Sequence, residues 1–283
     1  MIRIFLISLL YLVPHALMAQ AKLSDWAVEA ESHESKVSLT SDGAIDIIAP
    51  KGLTLWYKRP MQGNVVIEYD ARIVVEEHNN NAWNRLSDLN CFWQATDPKQ
   101  KDGNVLKGIS RRKGIFINQY ALSLYYMGYG GNYNSTTHFR RYNGDEKGIN
   151  DPSRRPAILR EYTDPGNILK PNHWYHIRLE QCFGRVRYVI DGKCLVDYLD
   201  IHPFHRGYFG FRTTLAHAQI RNFTYSETPV SGTPVALHWV GKSPNSSASP
   251  QTFGVPFLQG EVYPDQSILL QTDKGTQIPN DSW

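Results

Sequence analysis

The sequence predicts an all-β protein built as a sandwich of two antiparallel sheets. Short stretches in which apolar and polar residues alternate recur along the chain, as expected of strands with one buried face. Asp42-Gly43, Asn143-Gly144 and Asp191-Gly192 separate some of these stretches. Such pairs favour tight hairpin turns, because both central residues need positive φ angles. No long stretch repeats with the period of a helix, so short strands at this spacing favour a sandwich.

The clearest strand pattern lies between His173 and Asp200. Apolar residues at positions 175, 177 and 179 alternate there with polar residues at 176, 178 and 180. Phe183-Gly184 and Asp191-Gly192 divide the stretch at two turns. The pattern therefore predicts a three-stranded meander.

This meander resembles the concanavalin A-like (laminin G-like) jelly-roll superfamily, in which a Trp opens a strand and a Val/Ile-Asp-Gly turn leads into a short strand ending in an aromatic residue. The matching residues are Trp174, 188–192 and 196–198, and the runs 207–212 and 220–225 are similar to the next core strand and the closing strand. The resemblance implies a jelly-roll fold. It leaves function open, because that sandwich hosts lectins, glycoside hydrolases, polysaccharide lyases and interaction modules.

Composition limits the classes of protein to consider. The chain has 283 residues, of which 41% are hydrophobic and 20% charged, enough for one large domain with its own core and part of a second. The net charge is only +3 and the basic residues are scattered, which argues against a nucleic-acid partner. Mild basicity is compatible with an acidic ligand.

The first residues have the layout of a secretory signal peptide. Arg3 precedes an apolar run from Ile4 to Val13, and small residues follow at positions 16, 19 and 21. We expect a signal peptide over residues 1–21 and a secreted or periplasmic protein. The apolar run is too short to span a bilayer, which takes roughly 20 residues, so no membrane span is expected.

The three cysteines are predicted to be free thiols that are mostly buried. If both turns of the meander form, Cys194 lies opposite Val189, and Val189 lies opposite Arg178. Cys182 is then about four residues from Cys194 along the strand, or roughly 13 Å at about 3.3 Å per residue. That separation exceeds the reach of a disulfide.

The remaining strands are predicted from alternation and from the turns between them. They are expected at 23–30, 35–40, 44–48, 53–58, 65–75 and 85–94, with a strand or strand pair within 114–127. Loops are expected at 76–84 and 95–113, and a longer excursion over the sheet at 145–172. In the stretch Arg85–Gln94, residues 87, 89, 91 and 93 share one face, and the opposite face is polar with Phe92 in its middle. Such a face is typical of a sugar groove.

An unusual run from Tyr125 to Tyr142 combines tyrosines with glycines, arginines and a histidine. Together with the run Asn84–Trp93 and with Thr96-Asp97-Pro98, it resembles uncharacterised YesU-like sandwich domains of secreted bacterial proteins found with pectin-degrading systems. The resemblance covers residues 23–226. It implies carbohydrate as the ligand and transfers no catalytic residue.

The chain divides into several parts. The signal peptide is followed by a jelly-roll domain at 22–226 and by a Ser, Pro, Thr and Gly-rich linker at 227–249. Residues 250–283 resemble the opening of the β domain of exo-rhamnogalacturonan-lyase-like (YetA-like) proteins, through the runs 253–261, 271–275 and 278–279 and through Trp283. This implies that the chain is the first part of a longer, lyase-like polypeptide.

The leading hypothesis is a secreted carbohydrate-recognising module that acts in the breakdown of acidic plant (pectic) polysaccharide. Tyrosine rings pack on the apolar faces of sugars, and an arginine binds a uronate carboxylate through paired hydrogen bonds. The predicted ligand-binding residues lie on the concave face of one sheet: Asp88, Asn90, Tyr125, Tyr129, His138, Arg140 and Tyr142.

Two alternatives remain. The first is a polysaccharide lyase in its own right, acting by β-elimination with His138, Arg140 and Tyr142 as catalytic candidates, since these share one face of an extended strand. The second is a protein-interaction sandwich. A hydrolase is disfavoured, because Glu68 and Asp70 share a face but fit a solvated outer surface better than a carboxylate pair flanking a bond.

Calcium is the only cofactor that the sequence leaves open. Asp97, Asp102 and Asn104 are weak candidate ligands, since their spacing fits no defined calcium loop and a polar turn is the better interpretation. The sequence contains no Gly-rich phosphate loop, no clustered Cys and His for zinc and no Ser/His/Asp signature.

Overall fold

The computed structural model describes residues 22–182 and 184–228, together with the backbone of two short strands at Leu270–Gln271 and Gln277–Ile278. The predicted signal peptide lies outside the described residues, as do most of the predicted linker and second domain. No helix among the described residues is long and apolar enough to cross a membrane.

The strands are numbered in chain order. They are β1 (Trp26–Ala30), β2 (Lys36–Leu39), β3 (Ile45–Ala49), β4 (Leu53–Tyr57), β5 (Met61–Gln62), β6 (Asn64–Val74), β7 (Asn90–Thr96), β8 (Ser123–Gly130), β9 (Thr136–Asn143), β10 (Ile158–Tyr162), β11 (Tyr175–Cys182), β12 (Arg185–Ile190), β13 (Lys193–Leu199), β14 (Arg206–Thr213), β15 (Ala216–Thr228), β16 (Leu270–Gln271) and β17 (Gln277–Ile278).

Helical structure in the ranges that the structure describes consists of short segments. One α-helical turn spans Ile109–Arg112, a second spans Gly131–Asn134, and 3₁₀ turns occupy Leu23–Asp25, Val105–Gly108, Phe116–Ala121, Glu146–Ile149, Pro152–Arg154 and Pro165–Asn167.

Two antiparallel sheets form the domain, as predicted for a jelly-roll sandwich. The first sheet has the order β1-β4-β14-β7-β8-β9-β10, with β5 paired to β14, and the second has the order β13-β12-β11-β6-β15-β3-β2. In β6, buried and half-buried residues alternate from Val65 onward, so Ile67, Tyr69 and Ile73 point into the core between the sheets. Trp93 and Phe139 fill this core from the first sheet.

The meander predicted between residues 173 and 200 is confirmed as β11–β13. Arg178 lies opposite Val189, and Val189 lies opposite Cys194. Asp191 and Gly192 form the second turn with φ angles of 46° and 77°, the left-handed conformation that this turn requires. The first turn includes Phe183, which lies outside the described residues.

The three cysteines are free in the structure. Cys91 is buried in the core and Cys182 is half-buried, but Cys194 is exposed. The expectation that the thiols are mostly buried is therefore wrong for Cys194. It lies on β13, the edge strand of the second sheet, which among the described residues has a neighbouring strand on one side only.

Several predicted strands begin or end elsewhere. Residues 23–25 are a 3₁₀ turn, and the strand predicted from Arg85 starts only at Asn90. Asp88, two residues before β7, has a φ angle of 64°, which a strand does not accommodate. The first part of 114–127 is helical, and strand structure starts at Ser123. The excursion at 145–172 contributes β10, which extends the first sheet.

A second hydrophobic cluster covers much of the outer face of the first sheet. Residues 105–121, called the covering segment below, lie over Trp56, Phe92 and Tyr142, which point away from the core between the sheets. The ring centroids of Trp56 and Phe92 are 5.7 Å apart, and those of Tyr120 and Tyr142 are 5.4 Å apart. The sequence predicted a polar loop over most of this stretch, but its apolar residues form a second core.

Glu29 holds the covering segment against the sheet. Its side chain on β1 is completely buried and accepts hydrogen bonds from four groups: the indole of Trp56 (2.9 Å), the guanidinium of Arg112 (2.7 Å), the amide of Gln119 (2.6 Å) and the backbone N–H of Gly114 (3.2 Å). Arg112 also contacts Asp97 at 3.3 Å. The hydrogen bonds of this buried network take the place of the water molecules that would otherwise solvate its charged groups.

Replacing Arg112 with Met should lower the free energy of unfolding by about 3–5 kcal/mol, because it leaves the buried carboxylate of Glu29 without its charged partner. Arg111→Met is the matched control. Arg111 pairs with Asp97 at 2.6 Å, but its own side chain is 36% exposed, so we expect a loss of about 1 kcal/mol or less. Urea unfolding measures both. Equal losses in the two variants would contradict the role given to Arg112.

Iodoacetamide should label Cys194 in the folded protein and leave Cys91 unmodified. Cys194 is exposed, whereas burial raises the pKa of the Cys91 thiol to about 12, so no reactive thiolate forms there at neutral pH. Mass spectrometry of labelled peptides checks this, with unfolded, unreduced protein as the control in which all three cysteines should react. A Cys182–Cys194 peptide in that control would show the strand register to be wrong.

Candidate functional site

Strand β9 places its three predicted site residues on one face. His138, Arg140 and Tyr142 point outward from the first sheet, while Phe139 lies in the core between the sheets. Asn90 on β7 belongs to the same outer face, since it pairs with the outward-facing Arg212. The structure therefore brings Asn90 and the three β9 residues onto one face.

Tyr125 and Tyr129 do not belong to this face, so their predicted placement is wrong. Both rings are buried in the core between the sheets. The Tyr125 hydroxyl donates to Asp200 at 2.7 Å, and the Tyr129 hydroxyl donates to the carbonyl of Ile168 at 3.3 Å. Adjacent residues of β8 alternate between faces, so Tyr126 is the tyrosine that faces outward.

Tyr142 points outward but lies beneath the covering segment. Its side chain is completely buried, and burial raises the pKa of the phenol well above its ordinary value of 10.0. A sugar bound at the surface cannot reach it. The three residues proposed for a lyase therefore do not meet at one accessible point.

A row of polar side chains crosses the outer face, from Arg212 and Asn90, which are buried, to His138, which is half-exposed. Arg212 lies beneath the covering segment and donates to the carbonyl of Gly114 at 3.0 Å. Arg212 on β14 lies opposite Asn90 on β7, and His138 on β9 lies opposite Gly128 on β8. We call Arg212, Asn90 and His138 the outer polar row. Glu161 continues it on β10, opposite His138, and is exposed.

Several polar atoms at the row have no hydrogen-bond partner. Within residues 22–182 and 184–228, the buried atoms without one include Oδ1 of Asn90, Nδ1 of His138 and Nε of Arg140. An unpaired buried polar group costs about 1–3 kcal/mol. These atoms are buried, but the side chains of His138 and Arg140 are half-exposed as a whole, so a ligand can reach their outer parts.

Asp88 connects the row to an exposed aromatic ring. Its carboxylate accepts from Asn90 at 3.1 Å and from Arg85 at 2.9 Å. The guanidinium of Arg85 lies 4.5 Å from the centroid of the Tyr133 ring, which is 73% exposed. A continuous set of contacts thus runs from the polar row to a solvent-facing tyrosine.

The turn that carries Tyr133 is strained. Asn132, Tyr133 and Asn134 have φ angles of 49°, 60° and 59°, three successive left-handed residues without a glycine among them. Such conformations persist only where neighbouring structure holds them. Here the amide side chain of Asn134 donates to the carbonyl of Leu169 at 2.9 Å and accepts from its N–H at 2.8 Å.

Burial, the larger cause, and the nearby charge of Arg140 together lower the pKa of His138 from its ordinary value of 6.5 to about 4. The imidazole is therefore neutral near pH 7. One ring nitrogen can accept a hydrogen bond while the other donates.

The weak calcium candidates are already engaged with other groups. Asp97 is buried and pairs with Arg111 and Arg112. Asp102 pairs with Lys107 at 2.8 Å, and the side chain of Asn104 caps the following 3₁₀ turn at Leu106. No group of three or more His, Cys, Asp or Glu residues in the described ranges is arranged to hold a metal ion.

Glu68 and Asp70 lie on the outer face of the second sheet, away from the outer polar row. Glu68 contacts Arg178 at 3.0 Å, and Asp70 contacts His176 at 2.9 Å. Their side chains are 38% and 17% exposed. This ion-paired surface matches the predicted solvated outer face.

Sequence reasoning did not select Arg85, Tyr133 or Arg212. A local signal existed for Tyr133, because Gly130-Gly131-Asn132 precedes it and glycine and asparagine are common in left-handed turns. Arg85 and Arg212 carried no such signal. Their positions depend on pairing between strands that are distant in the sequence.

The chain belongs to the family described as a domain of unknown function (DUF6250), whose model matches residues 47–223. Residues 233–283 match a second model, described as a PcRGLX-like N-terminal RIFT barrel domain. That match begins within the predicted linker. No curated protein matches the chain.

The chain is similar to several solved structures at low sequence identity. A protein of unknown function with a galectin-like fold from Bacillus subtilis is 15% identical, with a TM-score of 0.53 over 74% of this chain and 92% of that one. The exoplasmic/lumenal domain of VIP36 in its Ca²⁺/Man2-bound form is 13% identical, with a TM-score of 0.50 over 74% and 84%. The carbohydrate-binding module CBM66 from Bacillus subtilis is 15% identical, with a TM-score of 0.47 over 72% and 96%.

His138 should stay uncharged down to about pH 4 in the folded protein. Its folded pKa lies below the unfolded value near 6.5, so the stability it contributes is present above pH 6.5 and is lost as the pH falls towards 4. NMR titration of the ring measures the pKa. Arg140→Gln should raise it but leave it below 6.5, because burial is the larger cause.

The variant His138→Asn tests the contribution to stability. Its melting temperature should fall less between pH 6.5 and pH 4 than that of the parent protein. A His138 pKa near 6.5 in the parent protein would contradict the burial seen in the structure.

Proposed function

We propose that this chain is a secreted carbohydrate-binding module that holds an acidic oligosaccharide or polysaccharide on the outer face of the first sheet, between Tyr133 and Arg140. The observation that carries the proposal is the exposed Tyr133 ring, stacked on Arg85 in a strained turn and connected through Asp88 to polar groups that lack partners.

Tyr133 suits a sugar ring because one of its faces is already occupied. Arg85 packs against the ring, and the left-handed turn holds the backbone beneath it. A rigid aromatic ring loses little conformational freedom on binding, so more of the contact energy appears as affinity. Sugars offer apolar C–H faces to such rings, and their hydroxyl groups pair with neighbouring polar side chains.

Arg140 supports a preference for an acidic ligand. Its Nη1 donates to the carbonyl of Pro156 at 2.9 Å, while Nε has no partner among the described residues. A carboxylate beside this guanidinium forms a charge-assisted hydrogen bond, about twice as strong as a neutral one. The neutral His138 adds a donor and an acceptor without repelling either charge.

The proposed context is the breakdown of pectic polysaccharide within a larger lyase-like protein. The match of residues 233–283 to a RIFT barrel domain model supports a second domain after the sandwich. The VIP36 structure that shares the fold is a Ca²⁺/Man2-bound form, but at 13% identity that likeness concerns the fold alone. The sugar hypothesis therefore depends on the site itself.

Calorimetry with an acidic oligosaccharide and its neutral counterpart tests the site. Tyr133→Ala should weaken both ligands by about 1 kcal/mol or more, since an aromatic anchor is lost. Arg140→Ala should weaken the acidic ligand by about 1.5–3 kcal/mol and the neutral one far less. Both melting temperatures should stay near that of the parent, because neither side chain belongs to a core cluster.

The matched controls lie elsewhere on the surface. Leu39→Ala removes an exposed apolar side chain from the second sheet, and Arg160→Ala removes an exposed arginine from β10. Neither should change binding. If Arg140→Ala binds the acidic ligand as tightly as the parent, the assignment of Arg140 is wrong.

The same protein preparations distinguish the two alternative functions, a polysaccharide lyase and a protein-interaction module. A lyase would raise the ultraviolet absorbance of a uronate-containing polymer, because β-elimination forms an unsaturated product. A protein-interaction module would leave a glycan array blank and calorimetry without heat.

A further inference from the structure

We propose a second ligand site, a cleft between the edges of the two sheets that takes a carboxylate-bearing sugar. A cavity of about 470 Å³ lies there, within the usual range of small-molecule sites, roughly 300–1,000 Å³. Its walls come from the end of β9, from the residues that lead into β10, and from the end of β13. It is distinct from the outer face, because Arg141 faces the cleft while Arg140 faces outward.

Arg141 forms a rigid wall of the cleft. Its Nε contacts Asp200 at 2.6 Å, its Nη2 donates to the carbonyl of His202 at 2.7 Å, and its Nη1 donates to Asn143. The guanidinium also lies 4.2 Å from the ring centroid of Phe204. A guanidinium has five N–H groups, so these contacts leave donors available to a ligand while fixing the plane of the group.

The hydrogen-bond donors around the carboxylate of Asp200 offset its negative charge, so it repels a ligand anion only weakly. It also accepts from the hydroxyl of Tyr125 at 2.7 Å and from the backbone N–H of His202 at 2.9 Å. Its side chain is 4% exposed. The carboxylate therefore belongs to the wall, where it orients Arg141.

Arg155 gives the cleft a positive charge that no carboxylate of the cleft balances. Arg154 pairs with Asp145 at 2.7 Å, and Arg141 pairs with Asp200. Arg155 has no carboxylate within 4.0 Å in the part of the chain that the structure describes; its Nε contacts the carbonyl of Gly148 at 3.4 Å. Three guanidinium groups thus face two carboxylates, which leaves one positive charge for a single ligand carboxylate.

The rest of the lining favours a sugar over a small inorganic anion. Tyr120 and Tyr198 contribute ring surface, Leu159 contributes apolar surface, and Asn143 contributes an amide. Aromatic and polar groups together match the mixed surface of a saccharide. A uronate sugar combines that surface with the one negative charge that Arg155 requires.

Calorimetric titration of the full chain with digalacturonate tests the cleft. The parent should bind two equivalents, one at each site. Arg155→Gln should weaken one of them about tenfold or more, the loss expected of a charge-assisted hydrogen bond. Tyr133→Ala should weaken the other. Arg160→Gln, an exposed arginine outside the cleft, should retain both, and every variant should melt near the parent temperature.

The outcomes separate the cleft from the proposed function. Binding of one equivalent that responds to Tyr133→Ala and not to Arg155→Gln would overturn the cleft and leave the outer-face site standing. One equivalent that responds only to Arg155→Gln would support the cleft and remove the outer-face site. No binding by the parent, or equal weakening by Arg155→Gln and Arg160→Gln, would overturn the cleft.

Discussion

The buried carboxylate of Glu29 is the interaction on which the outer face of the first sheet depends. Four donors converge on it, three of them from the covering segment. A charge in that position requires all of them, because desolvating a carboxylate without partners costs several kcal/mol. Once these contacts form, the covering segment is fixed over one part of the sheet. The part that stays accessible lies around His138 and Arg140, where we propose that the ligand binds.

Strand alternation then distributes the arginines of β9. Successive side chains of a strand point to opposite faces, so Arg140 reaches the outer face and Arg141 reaches the edge of the core. Arg141 and Tyr125 both bind Asp200 there. Arg140 remains close to the same wall, since it donates to the carbonyl of Pro156, which also lines the cleft. One strand thereby contributes a cation to each of two surfaces.

The strained turn at 132–134 also fits the proposed binding site on the outer face. A non-glycine residue in the left-handed region costs of order 1–3 kcal/mol, and three in succession persist only because Asn134 is held by Leu169. The result of this strain is an exposed tyrosine with a guanidinium behind it. A surface turn without a ligand has little reason to keep such a geometry, whereas a binding module benefits from an aromatic ring that is already in place.

The sequence by itself determined the two-sheet sandwich, the β11–β13 meander and its register, because alternation and Asp191-Gly192 are local signals. It also placed Asn90, His138 and Arg140 on one face. It did not determine that Tyr142 is covered, that Tyr125 lies in the core, or that Arg85 lies beneath Tyr133. Alternation tells which residues share a face but not what covers it, and β7 is buried on both faces. The cleft has the same origin: Asp200 is distant in the chain from the charged residues of 141–155, and only the packing of the two sheet edges brings it to them.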